Sequence, residues 1–257
     1  MVFVSKLSIT CQLPTRNERP VDSPHCPDPP GFSHTRANDH SMNSEEVVVP
    51  GARDVRGTLD APSTGTNRVV VACPPHPQFG GNRRDRNLRA LGEALTERDV
   101  ACLRFDYGEW DEGRGERTDV HNALRYAAER YDHVGPFGYS FGAVSALLVA
   151  ADPGRGESRG DAATTAGDGN VDLAAVSALA PTAKATDALA DVACPLQILY
   201  GTRDDTVEWE PVVERARELA ADDRPVEVVK LSADHHFVGQ ERKVAARTSE
   251  FLAGHLD

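Results

Sequence analysis

Short apolar runs alternate with amphipathic stretches along most of the chain. Residues 69–73 are continuously apolar, as expected of a strand that is covered on both faces. The next stretch carries Leu88, Leu91 and Leu95 at the spacing of a helix with one apolar face. The alternation predicts strands at residues 47–49, 55–59, 68–73, 100–105, 173–179, 195–200 and 226–231, a strand, turn and helix within 134–151, and further helices at 118–131, 208–220 and 239–252.

This order of elements is typical of an α/β protein with a mostly parallel central sheet and helices on both faces. The first two strands are the exception, because the turn sequence between them, residues 50–54, predicts a hairpin. Pro136 stands in a predicted central strand, where proline removes a ladder hydrogen bond. We therefore expect that strand to be short or to end its pairing before Pro136.

Two segments lack any sustained hydrophobic period. Residues 1–41 are rich in Pro, Ser, Asn, Asp and His, and we predict a disordered extension there, followed by one domain at residues 42–257. Since Met42 directly precedes the first predicted strand, the translated start could instead lie at that residue. The Gly- and Asp-rich stretch at 152–172 is predicted to be a flexible acidic loop.

The composition narrows the class of protein. A length of 257 residues suits one medium-sized domain. No run of about 18 apolar residues is present, and the first residues lack the basic, apolar and small-residue order of a secretory signal. We expect no membrane partner, a cytoplasmic location, and a monomer or small homo-oligomer.

The net charge is −12, from 40 acidic against 28 basic residues. This charge repels a phosphate backbone and argues against a nucleic-acid partner. The chain has only four lysines, at positions 6, 184, 230 and 243. Abundant carboxylates with scarce lysine favour a protein of a salt-loving organism, because such a surface stays hydrated in high salt. An ordinary acidic cytosolic protein from a GC-rich genome is the alternative.

The cysteines and histidines do not form a metal or disulfide pattern. The five cysteines are scattered and show no C-x-x-C pairing, which argues against a disulfide framework and a structural zinc site. No H-E-x-x-H or comparable spacing is present. We predict neither a metal nor a cofactor.

A G-x-S-x-G sequence at residues 138–142 provides a candidate nucleophile, Ser140. The two glycines permit a tight strand-to-helix turn that exposes the serine hydroxyl. The N–H of Phe141, the next residue, can then face a reacting carbonyl oxygen. The loop that follows the strand at 68–73 is expected to supply a second such N–H, for which Gln78 is the first candidate and Phe79 the next.

Candidates for the base and its orienting acid follow in the chain order that this chemistry requires. Asp204 comes just after the strand at 195–200, and His235 comes after the last strand. Each has a neighbour of the same type, Asp205 and His236, that could replace it. Taken alone, the acidic pair could cap the following helix and the histidine could lie in a surface loop.

Five stretches together resemble the α/β-hydrolase superfamily, and in particular its small lidless members related to dienelactone hydrolases. These stretches are residues 76–81, 103–108, 138–142, 201–204 and 234–237. The resemblance implies an α/β-hydrolase fold over roughly residues 45–255, with no cap domain, because the segment 182–194 where caps insert is short. It implies the roles nucleophile for Ser140, acid for Asp204 and base for His235, with oxyanion N–H groups from Gln78 and Phe141.

The function expected from these residues is hydrolysis of a small or accessible carboxylic ester, or of a thioester, through an acyl-enzyme. The partner is then a small-molecule acyl substrate. Dienelactone hydrolases carry a cysteine nucleophile, so Ser140 argues against their substrate. A catalytically silent binding scaffold and an acyltransferase remain alternatives. The acid-rich stretch 109–116 is predicted to be a solvated loop, or else a rim of the site with Trp110 as an apolar wall.

Overall fold

The computed structural model describes residues 42–152 and 171–256. The predicted extension at 1–41 and most of the predicted acidic loop at 152–172 lie outside the described residues. The strands are β1 (Met42–Val49), β2 (Val55–Pro62), β3 (Arg68–Cys73), β4 (Ala101–Phe105), β5 (His133–Tyr139), β6 (Val176–Leu179), β7 (Leu196–Gly201) and β8 (Val226–Leu231). The helices are α1 (Arg86–Thr96), α2 (Arg114–Ala128), α3 (Phe141–Ala151), α4 (Glu210–Ala221) and α5 (Glu241–Ala253).

The eight strands form one sheet in the order β1-β2-β4-β3-β5-β6-β7-β8. Strand β2 pairs antiparallel with both β1 and β4, and every other neighbouring pair is parallel. This confirms the predicted α/β class, the mostly parallel sheet and the hairpin at its N-terminal edge. The parallel strands all present their carboxyl ends at the same edge of the sheet, where ligand sites of α/β folds lie.

Alternate side chains of the central strands enter two separate cores. Val69 and Val71 of β3 pack with apolar residues of α2, α3 and α4, whereas Val70 and Ala72 pack with apolar residues of α1 and α5. Side chains of a strand alternate between the two faces of a sheet, so helices on both faces require an uninterrupted apolar run. Leu88, Leu91 and Leu95 of α1 are all fully buried in the second core, as their spacing predicted.

The expectation that β5 ends its pairing before Pro136 is wrong. The strand pairs with β3 through this residue, which lies opposite Val71. Along β5, the backbone N–H groups of successive residues point alternately to β3 and to β6. Ser140 donates its N–H to the carbonyl of Leu179, on the β6 side. Pro136 lies four residues earlier, so the N–H that it lacks would also point to β6. Because the continuous β5–β6 ladder begins only at Phe137, the proline removes no hydrogen bond from the pairing with β3.

The connection between β6 and β7 carries no cap domain. It contains two short 3₁₀ helices, Ala183–Ala185 and Asp187–Asp191. Within residues 42–152 and 171–256, the edge of the sheet above β5, β7 and β8 therefore stays uncovered by an inserted domain. In the same part of the chain, every helix is too short or too polar to cross a membrane.

Candidate active site

Ser140 occupies a sharp bend between β5 and α3. Its backbone adopts φ 56° and ψ −114°, a region that costs a residue with a side chain about 1–3 kcal/mol. The bend is fixed on one side by the hydrogen bond from the Ser140 N–H to the carbonyl of Leu179, at 2.8 Å. On the other side α3 begins at Phe141. The side chain is thereby held at the carboxyl edge of the sheet.

The two glycines of the motif are required by close backbone approaches. A Cβ atom on Gly138 would overlap the carbonyl of Gly142, one turn further along. A Cβ atom on Gly142 would overlap the carbonyl oxygens of Cys73 and Pro74, which end β3. The second approach brings the start of α3 directly against the end of β3. The glycine positions therefore follow from the backbone path of the bend and of the neighbouring strand.

The structure brings Ser140, His235 and Asp204 together, although they come from three different strand ends. Ser140 Oγ lies 2.9 Å from His235 Nε2, and His235 Nδ1 lies 2.7 Å from Asp204 Oδ2. The His235 and Asp204 side chains are nearly inaccessible, at 9% and 1% exposure. An imidazole with a carboxylate at one nitrogen and a hydroxyl at the other is arranged to accept the hydroxyl proton.

Asp204 also accepts hydrogen bonds from its own turn. Its Oδ1 accepts the N–H groups of Thr206 and Val207, at 3.0 and 3.3 Å, but it does not cap α4, which begins at Glu210 after Trp209. Its Oδ2 is then directed to His235. The Trp209 indole donates to the Asp204 carbonyl at 3.0 Å and closes the turn. The hydrogen bonds therefore fix the carboxylate before a substrate arrives.

The alternative residues lie elsewhere. Asp205 is exposed, and its side chain has no hydrogen bond to either histidine among the described residues. His236 is also exposed and lines the same cavity as His235, with the two ring centroids 5.7 Å apart. Neither alternative takes part in the chain of contacts that ends at Ser140.

The structure places Phe141 at the cavity with an N–H unused in the described residues but does not bring Gln78 there. The N–H of Phe141 has no acceptor within the described part of the chain, as expected for the first residue of a helix. Gln78 is exposed, does not line the cavity, and donates its N–H to His76 Nδ1 at 3.3 Å. His76 lines the cavity, and its own N–H lacks an acceptor in residues 42–152 and 171–256. The sequence contained a signal for His76 as the donor, because Pro74 and Pro75 have no N–H and His76 is therefore the first residue after β3 that can offer one.

Four rings pack against one another beside Ser140 and form an aromatic wall. The His76 ring centroid lies 4.5 Å from that of Trp110, 4.8 Å from Phe79 and 4.9 Å from Phe141. Phe79 is 87% exposed, unusual for a large apolar side chain. Burial lowers the pKa of His76 from its ordinary value, which favours the neutral ring. Glu112 and Gly113 of the stretch 109–116 line the cavity beside Ser140, as the predicted rim requires, whereas Trp110 packs against His76 and Phe141 and does not line it.

Ser140, His235 and the rings of His76, Phe79 and Phe141 line a cavity of about 750 Å³. The volume is within the range of sites for small organic ligands. Further along, the cavity is lined by Val144 and Leu148 of α3. Within the described residues, no group of three or more His, Cys, Asp or Glu side chains is arranged to hold a metal ion.

No protein-family model matches the chain, and no curated protein matches it either. Solved structures do match. A serine hydrolase homologue from Coxiella burnetii is 24% identical and aligns over 81% of this chain and 98% of its own, with a TM-score of 0.65. A dienelactone hydrolase from Anabaena variabilis is 21% identical over 85% of this chain and 100% of its own, with a TM-score of 0.65.

A serine hydrolase without a lid from Xanthomonas campestris is 19% identical over 80% of this chain and 94% of its own, with a TM-score of 0.62. These matches span nearly the whole of each neighbour and most of this chain. The protein has the α/β-hydrolase fold, with no cap domain in residues 42–152 and 171–256, as the resemblance in the sequence implied.

The contact between Gly142 and the end of β3 leads to a prediction about stability. We expect Gly142→Ala to lower the free energy of unfolding by about 3 kcal/mol, because the new methyl group meets backbone that cannot rotate away. Urea unfolding followed by circular dichroism measures the change. Gly65→Ala is the control, since Gly65 has φ 77° but open space around its Cα, and should cost about 1 kcal/mol. Equal losses in the two variants would contradict the assigned contact.

Proposed function

We propose that this protein is a serine hydrolase that cleaves an accessible carboxylic ester through an acyl-enzyme. The observation that carries the proposal is the unbroken contact chain from Ser140 Oγ through His235 to Asp204, with distances of 2.9 and 2.7 Å. A serine hydroxyl is a weak nucleophile until an adjacent base accepts its proton. A thioester is the second candidate substrate, because Ser140, His235 and Asp204 could act in the same way whether an alcohol oxygen or a thiol sulfur leaves.

The reaction follows from the roles of the two imidazole nitrogens. Asp204 Oδ2 accepts the Nδ1–H of His235, which leaves the lone pair of Nε2 directed at Ser140. As Ser140 Oγ attacks the carbonyl carbon, Nε2 takes the hydroxyl proton, and Asp204 stabilises the imidazolium that forms. The tetrahedral intermediate collapses, the bond to the leaving oxygen breaks, and His235 returns the proton to the departing alcohol.

Deacylation repeats these steps with water. His235 Nε2 takes a proton from water as its oxygen attacks the acyl carbon, and the bond to Ser140 Oγ then breaks. The proton returns to Ser140, and a carboxylic acid leaves. In both halves the negative charge forms on the carbonyl oxygen. We assign its stabilisation to the N–H groups of Phe141 and His76, which have no other acceptor in the described residues.

The substrate proposed here is small or accessible and has an apolar group. The cavity of about 750 Å³ is not enclosed by a cap in the described residues, and the rings of His76, Phe79 and Phe141 line part of it. Aromatic surface next to the reacting carbonyl favours an aryl or compact alkyl group over a charged one.

Replacing the nucleophile tests the proposal. We expect Ser140→Ala to lower kcat/KM for p-nitrophenyl acetate by about a thousandfold or more, because the acyl-enzyme cannot form. Assays belong in molar salt, given the predicted halophilic surface. Ser177→Ala is the control, because Ser177 is a buried serine of β6 whose hydroxyl donates to the Gln197 side chain and not to Ser140, His235 or Asp204. Full activity of Ser140→Ala would refute the proposal.

The exposed phenyl ring of Phe79 tests the substrate class. We expect Phe79→Ala to raise KM for phenyl esters about fivefold with little change in kcat, since one aromatic contact is worth roughly 1 kcal/mol. Steady-state kinetics with phenyl acetate and methyl acetate measure the effect, which should be confined to the aryl ester. Val48→Ala, at a 64% exposed valine of the edge strand β1, is the control. An equal change for both esters would contradict an aryl-binding wall.

A further inference from the structure

The residue before the nucleophile contacts the backbone of the proposed base. The Tyr139 hydroxyl donates a hydrogen bond to the carbonyl oxygen of His235, at 2.8 Å. The Tyr139 side chain is 4% exposed, and its ring lies edge-on to Phe237, with centroids 6.3 Å apart. The triad mechanism as written above makes no use of this contact. Tyr139 and Ser140 are consecutive, so the hydrogen bond links the nucleophile's own strand to the loop of the base.

The loop that carries His235 is fixed on both sides of that residue. Before it, the Arg203 N–H donates to the carbonyl of Ala233 at 3.0 Å. After it, Phe237 is fully buried with φ 52°, and the Gln240 N–H donates to the Phe237 carbonyl at 2.9 Å. Between these anchors, the Tyr139 hydroxyl is the donor that the described residues provide to the His235 carbonyl.

We propose that Tyr139 is a positioning residue that sets the distance between the nucleophile and the base. Asp204 holds the imidazole at Nδ1 alone, and a ring held at one nitrogen can still swing about that contact. Fixing the backbone of His235 from β5 removes this freedom and keeps Nε2 within hydrogen-bond reach of Ser140 Oγ. This inference rests on the proposed hydrolase function, which supplies the reason for holding the two groups at 2.9 Å.

The Tyr139 hydroxyl stays protonated at neutral pH and can act as a donor there. Burial raises the pKa of Tyr139 well above its ordinary value, and the nearby carboxylates of Asp85, Asp204 and Asp234 raise it further, while Arg86 opposes them. The hydrogen bond from Tyr139 also satisfies the His235 carbonyl, because His235 is buried and an unpaired carbonyl there would cost desolvation free energy.

The test compares Tyr139→Phe with Tyr200→Phe. Both changes remove one hydroxyl from a buried tyrosine at the carboxyl end of a strand, and the Tyr200 hydroxyl accepts from Arg217 instead of contacting His235. With p-nitrophenyl acetate in molar salt, we expect Tyr139→Phe to lower kcat about five- to tenfold, the factor for one net hydrogen bond, and to change KM less than twofold. Tyr200→Phe should retain the wild-type values.

A second measurement does not depend on activity. The proton between His235 Nδ1 and Asp204 Oδ2 should give a downfield ¹H resonance, which we expect to broaden or disappear in Tyr139→Phe and to persist in wild type and in Tyr200→Phe. An unchanged resonance in Tyr139→Phe overturns the positioning role, whatever its kcat. Absence of ester hydrolysis by the wild type would refute the proposed function separately, and the resonance would still decide the role of Tyr139.

Discussion

The candidate site depends on one close approach between backbones, where the first turn of α3 packs against the end of β3. Gly142 permits this approach because any side chain there would overlap the carbonyls of Cys73 and Pro74. The same approach brings the start of α3 next to the end of β3. The N–H of Phe141 at that start and the N–H of His76 in the loop after β3 both lack an acceptor within the described residues. The same packed backbone segments thus hold the Ser140 hydroxyl and the proposed oxyanion donors in fixed positions.

Asp204 and His235 come close to Ser140 because the parallel strands that precede them end at the same edge of the sheet. Asp204 follows β7 and His235 follows β8, so two short loops are enough to bring a carboxylate and an imidazole to the hydroxyl. Each group is held by more than its contact in the triad. The Asp204 carboxylate also accepts two N–H groups of its own turn, and the His235 carbonyl accepts the Tyr139 hydroxyl. Such added contacts limit the motion of groups that must meet within a few tenths of an ångström.

Much of this arrangement could be predicted from the sequence, since burial on both faces leaves a clear signature in strands such as β3, and the G-x-S-x-G turn needs glycine at fixed positions. Selecting Asp204 over Asp205 from physical reasoning was not possible, because neighbouring residues differ only in which of them the fold buries. Which N–H of the loop after β3 is free depends on the path of that loop, in which the Gln78 N–H donates to His76 Nδ1. Pro136 can stay within β5 because the ladder with β6 begins only at Phe137. The relative position of these two strands is set by the tertiary structure and could not be predicted from the sequence of β5.

The proposed mechanism requires that Ser140 is an activated nucleophile. Treatment of the folded protein with a fluorophosphonate, followed by proteolysis and mass spectrometry of the peptides, shows whether it is. We expect one phosphonate adduct, on Ser140, that forms in the native protein and not after denaturation. A native protein that stays unlabelled, or that carries its adduct on another residue, would rule out Ser140 as the nucleophile.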